Sequence, residues 1–262
     1  MKKLWLLFFV ITLSVFGQTS KDNSTSIFLD AYLSINTGFN IPVGDFGSSN
    51  YKKPNAGFAT PGANFELNYI GRFYELIGVA IMFKTTSMAM NIIPVESYYN
   101  ANDTGYYWGA TRTPLKLKMA MFGFYTMAPI TKAKNLFLFI KPMVGMGFVN
   151  ASSTSYILFQ KHIVYASGAN PILAYSKGTV DYTQQASHAL AYSIDLGLKY
   201  NLSPLLAFIF HVDYSITKPL FQSGIEISSM YYSNQQDLTP KYIKIQTLSF
   251  NLGLTLKVKG SD

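Results

Sequence analysis

The sequence predicts an all-β fold, an eight-stranded antiparallel transmembrane β-barrel, and three observations carry that prediction. Of 262 residues, 49% are hydrophobic and 16% aromatic, but only 13% are charged. Soluble domains carry about 25% charge at a similar apolar content. Beyond residue 18, no apolar run approaches the ~20 residues that a spanning helix needs. Finally, apolar residues recur at every second position in eight segments, which is the period of a strand and not of a helix. Only a closed barrel lets such a chain satisfy its backbone inside lipid. The aromatic-rich, charge-poor composition excludes a disordered chain. The absence of cysteine excludes a disulfide scaffold, a thiolate metal site and a cysteine nucleophile.

The amino terminus reads as an export signal. Lys2 and Lys3 precede the apolar stretch Leu4–Phe16, and small residues follow with Val15 at −3 and Gly17 at −1. Cleavage is expected between Gly17 and Gln18. Residues 1–17 form the signal peptide and 18–262 the barrel domain.

The strands follow in order, each with an apolar face for lipid and a small or polar face for the lumen. The first, 27–39, sets Leu33, Ile35 and Phe39 against Asp30, Ser34 and Asn36. The second, 58–70, sets Phe65, Leu67 and Tyr69 against Asn64, Glu66 and Asn68. The third, 74–84, sets Ile77, Val79 and Phe83 against Gly78, Met82 and Lys84. The fourth, 115–126, puts Leu115, Leu117, Met119, Met121 and Tyr125 outward, with Lys116 and Lys118 inward. The fifth, 136–149, sets Leu138, Ile140 and Phe148 against Lys141, Gly145 and Gly147. The sixth, 189–200, sets Leu196, Leu198 and Tyr200 against Asp195, Gly197 and Lys199. The seventh, 205–215, sets Phe208, Phe210 and Tyr214 against His211, Asp213 and Ser215. The eighth, 243–258, sets Leu252, Leu254 and Leu256 against Asn251, Gly253 and Lys257. Ile243 and Ile245 sit on the other parity, which predicts a bulge near Thr247.

Connections alternate in length. Those after the second, fourth and sixth strands are short turns; those spanning 40–57, 85–114, 150–188 and 216–242 are long. Short periplasmic turns opposite four long extracellular loops is the arrangement of membrane barrels. Ten strands result instead if Ser155–Tyr165 and Ile172–Tyr182 form an inserted hairpin. Aromatic residues mark the expected band edges: Phe39, Phe83, Phe148 and Tyr214 at one, Tyr69, Tyr125 and Tyr200 at the other.

With the signal, the strands and the loops in place, the chain resembles the small Gram-negative outer-membrane β-barrel proteins of the OmpA/OmpX-like, porin-like type. The segment Thr37-Gly38-Phe39-Asn40-Ile41-Pro42-Val43-Gly44-Asp45-Phe46 looks like the end of the first strand in porin-like families. Leu196-Gly197-Leu198-Lys199-Tyr200-Asn201-Leu202-Ser203 looks like another of their strands. The resemblance implies residence in the outer membrane of a Gram-negative bacterium. It does not imply an activity.

The lumen-facing charges are Asp30, Glu66, Asp195 and Asp213 against Lys84, Lys116, Lys118, Lys141 and Lys199, with His211 among them. Near balance predicts an internal ion-pair network, because an unpaired buried charge is costly. His211, Asp213 and Ser215 share a strand face, but i and i+2 residues stand about 7 Å apart, beyond direct reach unless the side chains lean together. No metal-ligand spacing or phosphate-cradling glycine loop is present. No catalytic, cofactor-binding or metal-binding residue is therefore expected. The basic excess falls mainly on the periplasmic turns and termini, which does not favour nucleic acid as a partner. Tyr98, Tyr99, Tyr106, Tyr107 and Trp108 cluster in one long loop and suit recognition of a protein or glycan. The expected function is a non-enzymatic surface platform or a subunit of an envelope complex. The alternatives are a small passive porin-like channel and a lipid-modifying enzyme.

Overall fold

The computed structural model describes residues 29–50, 59–91, 106–112, 114–150, 154–164, 172–229, 232–237 and 240–260. The expected signal peptide and Tyr98 and Tyr99 lie outside the described residues. Eight strands close into a barrel: β1 (Asp30–Pro42), β2 (Ala59–Arg72), β3 (Ile77–Met90), β5 (Leu115–Pro129), β6 (Leu136–Asn150), β9 (Ala189–Asn201), β10 (Leu206–Thr217) and β14 (Ile245–Gly260). Around the wall the order is β1-β14-β10-β9-β6-β5-β3-β2, and β2 pairs back onto β1. Every pairing is antiparallel. Eight strands leave an interior just wide enough for side chains to fill.

Three tight turns join strands at one end. The β2–β3 turn is closed by Phe73 N–H donating to the Ile77 carbonyl at 3.0 Å, and the β5–β6 turn by Ile130 N–H donating to the Leu136 carbonyl at 2.8 Å. In the β9–β10 turn the Ser203 hydroxyl accepts from the Leu206 N–H at 3.0 Å.

At the other end, among the described residues, further strands follow the barrel. The segments between barrel strands form a second sheet, β12 (Tyr232–Asp237), β11 (Leu220–Ser229), β8 (Ile172–Ala186), β7 (Thr154–Val164) and β4 (Tyr106–Arg112), with β13 (Lys241–Tyr242) also on β11. Its order repeats that of the barrel strands next to each member in the chain: β14, β10, β9, β6 and β5. The hairpin expected within 150–188 is therefore real as β7–β8. It joins the outer sheet and adds nothing to the barrel, so the barrel keeps eight strands.

Two expectations about strand phase are corrected. The fourth predicted strand, now β5, is inverted: Leu115, Leu117, Met119, Met121 and Tyr125 are buried inside, and Lys116, Lys118, Phe122 and Phe124 are exposed. The rule that apolar residues face lipid fails here because this side of the lumen is itself apolar. The bulge expected near Thr247 is also absent. Ile245, Thr247 and Ser249 all point inward in one uninterrupted register, and Ile245 packs into the apolar interior. The register shift of β14 lies at its other end, opposite Ala31 and Tyr32.

The seam that closes the barrel, β1 on β14, has a matched pair of contacts. Asn36 lies opposite Gly253, and Gly38 lies opposite Asn251. A Cβ on Gly253 would collide with the Ile35 carbonyl and the Asn36 amide, and one on Gly38 with the Phe250 carbonyl and the Asn251 amide. Each asparagine fills the notch left by the facing glycine. Gly253→Ala should therefore destabilise the barrel by about 1–3 kcal/mol through overpacking. The check is the urea midpoint of unfolding in lipid vesicles; an unchanged midpoint would mean that the seam dilates freely.

Candidate functional site

The outer wall and the lumen have opposite chemistries. Leu33, Ile35, Phe65, Ile140, Ile194, Leu196, Phe210 and Leu254 are exposed on the outside. Glu66, Lys84, Lys141, Asp195, His211 and Asp213 are almost completely buried inside. A soluble barrel has the reverse arrangement. This chain is a membrane β-barrel of the small eight-stranded type.

The lumen is divided lengthwise. On β3, β5 and β6 it is apolar, with Met82, Met88, Leu117, Met119, Met121, Met127, Phe139 and Met143. Unbranched methionine adapts to the irregular space between strands. On β1, β2, β9, β10 and β14 it is polar. Two lysines reach from the apolar side into the carboxylates. Lys84 on β3 donates to Asp213 Oδ1 at 2.5 Å and to Ser249 Oγ at 2.8 Å, and lies 3.5 Å from Glu66 Oε1. β10 is diametrically opposite β3 in the strand order, so this pair crosses the full lumen. Lys141 on β6 lies 2.6 Å from Asp195 Oδ2 and donates to Asn68 Oδ1 on β2 at 2.8 Å. Asn251 donates to Glu66 Oε1 at 3.1 Å and to Asp213 Oδ2 at 2.9 Å.

His211 is set between two carboxylates, with Nε2 3.3 Å from Glu66 Oε2 and Nδ1 3.8 Å from Asp195 Oδ2. Gly197 leaves room for the His211 Cβ and the Phe139 ring, both of which would crowd a Cβ there. The strand-face triplet does not act as a unit. Ser215 leans two residues along to donate to Asp213 at 2.7 Å, and Ser193 does the same to Asp195 at 2.9 Å, while His211 faces other partners. The 7 Å separation expected between i and i+2 residues is thus bridged by the side chains.

Glu66, Asp195 and His211 offer ligand atoms within 4.8 Å of one another. The donor set is nevertheless a poor metal site. Lys141 pairs with Asp195 at 2.6 Å and Lys84 lies 3.5 Å from Glu66, so both carboxylates are already neutralised and a divalent cation would stand beside two ammonium groups.

The ends are closed differently. At the long-connection end a helical turn, Gly44–Gly47, starts at Gly44, whose positive φ favours glycine. It buries Phe46 in the same apolar cluster as Met88, Leu115, Phe221 and Ile245. At the short-turn end Asp30 is ion-paired with Arg72 and, at 2.7 Å, with Lys257. Lys199 Nζ sits 3.7 Å from the Tyr32 ring centroid.

The predicted lumen residues Asp30, Glu66, Lys84, Lys141, Asp195, Lys199, His211 and Asp213 thus line the interior. Lys116 and Lys118 do not; they sit on the outer wall near the long-connection end of β5, where long side chains can reach headgroups. Lys257 points inward as its strand phase predicts, and Arg72, read as part of a turn, joins it on Asp30. Of the residues expected at the band edges, Phe39, Phe148 and Tyr200 are exposed outside and Tyr69, Phe83 and Tyr214 are half-buried. Tyr125 is inside the lumen, packed beside Phe139 at 5.6 Å between centroids. Outward aromatics also occur along the wall, at Phe65, Phe122 and Phe210. Tyr106, Tyr107 and Trp108 open β4, paired with Gln160, Phe159 and Leu158 of β7.

No family model and no curated protein matches the chain. Among solved structures it is similar to Neisserial surface protein A, at 9% identity over 87% of this chain and 96% of that one, with a TM-score of 0.45. It is also similar to the outer membrane protein OprG from Pseudomonas aeruginosa, at 11% identity over 89% and 98%, with a TM-score of 0.43. A third is a major outer membrane protein from Thermus thermophilus, at 11% identity over 87% and 99%, with a TM-score of 0.42. The likeness concerns the barrel fold, which the strand order already establishes.

Removing one partner of a buried pair leaves the other charge stranded. Lys84→Met should cost about 3–5 kcal/mol of stability, and adding Asp213→Asn to it should recover part of the loss. Urea titration of both variants in vesicles tests this; a double variant weaker than the single one would refute the cross-lumen pairing.

Proposed function

We propose that this protein is a non-enzymatic, non-conducting barrel of the Gram-negative outer membrane whose long-connection end binds a protein or glycan partner. The observation that carries the reading is the filled lumen. The cross-lumen pairs, the methionine cluster and Phe46 occupy the volume that a passive pore would need open. The export-signal character of Lys2–Gly17 supports passage to the envelope. The burial of His211 with its carboxylates argues against hydrolysis, since a substrate must reach the base. The outer sheet supplies a raised surface on one side of the mouth, and Tyr106, Tyr107 and Trp108 start its edge strand β4. Tyrosine and tryptophan provide contact area at low entropy cost.

Two measurements test this. Purified protein in planar bilayers should give no steady single-channel conductance; stable conductance steps would favour the passive channel. Replacing Tyr106, Tyr107 and Trp108 together by serine should abolish capture of the envelope partner while heat-modifiable gel migration, the mark of an assembled barrel, stays unchanged. Undiminished capture would remove β4 from the binding surface.

A further inference from the structure

Among the described residues, the charges at the short-turn mouth do not balance. Arg72, Lys199 and Lys257 converge there around a single inward carboxylate, Asp30. Both oxygens of Asp30 are used: one by Lys257, the other by Arg72 and by the Tyr32 hydroxyl, which donates at 3.3 Å. Glu75, in the adjoining turn, gives Arg72 its backbone carbonyl as acceptor at 2.8 Å, and its side chain is exposed. Among the described residues, Lys199 has no carboxylate within salt-bridge distance, although it is only 4% exposed. Its contact is the face of Tyr32, which Arg72 also approaches, at 5.4 Å from guanidinium carbon to ring centroid. Arg72 Nε is buried and has no hydrogen-bond partner. Among the described residues, this buried ammonium is held only by an aromatic face and stands next to two further cations without an anion of its own.

We propose that the short-turn mouth binds a phosphate-class oxyanion, held by Lys199 from within, with Arg72 beside it and Lys257 at the rim. Exposure rises in that order, from Lys199, 4% exposed, to a Lys257 side chain that is 25% exposed. Several oxygens on one small ligand match a guanidinium and two ammonium groups that a single carboxylate cannot satisfy. The site stands independently of any partner at the other end of the barrel. The oxyanion has two sources, a soluble phosphate or the headgroup of a neighbouring phospholipid.

The experiment titrates inorganic phosphate at low ionic strength into the full chain in a phosphorus-free maltoside detergent, read by calorimetry. Saturable binding is expected, weakened about ten-fold or more in Lys199→Met, retained in Lys199→Arg, and unchanged in Lys134→Met, which removes an exposed turn charge. No saturable binding to the unaltered chain would overturn the proposal. Equal weakening by Lys134→Met would overturn it too, because diffuse charge would then suffice. If Lys199→Met fails to assemble, as judged by heat-modifiable migration, the arginine variant and the unaltered chain still decide the matter. Repeating the titration in nanodiscs separates the sources. Binding in phosphatidylglycerol discs as in glycolipid discs supports a soluble oxyanion, and binding blocked only in the phospholipid discs supports a headgroup ligand. Absence of binding in both, after binding in detergent, would overturn a site that works in the membrane.

Discussion

Lipid offers no hydrogen bonds, and the rest of this structure follows from that constraint. A sheet can enter the bilayer only when its first and last strands find each other, because every unpaired edge would strand a row of peptide groups. The burden falls on the β1–β14 seam, whose partners are separated by nearly the whole chain. There the two strands present asparagine to glycine and glycine to asparagine. Close approach of the backbones and filling of the gap are achieved by the same two pairs.

Closure with eight strands fixes the next level. The enclosed space is too narrow for bulk water and too wide for backbone alone, so side chains must fill it. The chain fills it with two materials. Methionines and Phe139 occupy one half, and a charged cluster occupies the other. Lysines anchored in the apolar half reach across with their methylene stems among methionines and their ammonium groups among carboxylates. The polar cluster is thereby tied to strands on every side of the barrel.

Much of this is legible in the sequence, and the exceptions have physical causes. Strands with a polar inner face, such as Glu66–Asn68 or Asp195–Lys199, reveal their phase because only one face suits lipid. β5 does not, because Leu117 and Met119 suit either side. Gly123 holds the missing signal. Glycines elsewhere in the barrel, such as Gly78, Gly145 and Gly197, are assigned inward from the pattern alone, and the same rule applied to Gly123 puts Met119 inside and Lys118 out. The partners of Lys84 and Lys141 are not legible, since they depend on which strands end up opposite, a property of closure and not of local pattern. Arg72 reads as part of a turn, although its side chain turns back into the mouth. The outer sheet shows in the sequence only as one hairpin, because its five-strand order is inherited from the barrel beneath it.

The strut from Lys84 to Asp213 has a mechanical side. A thin cylinder squeezed laterally by acyl chains tends to flatten into an ellipse, and a tie across its diameter resists that distortion along one axis. Lys141, running from β6 to Asn68 on β2, braces a second axis at a different angle. Because both lie where counter-ions cannot enter, bulk salt does not screen them. The roundness of this barrel is therefore set from inside by fixed charges, and it should be the same in dilute buffer as in brine.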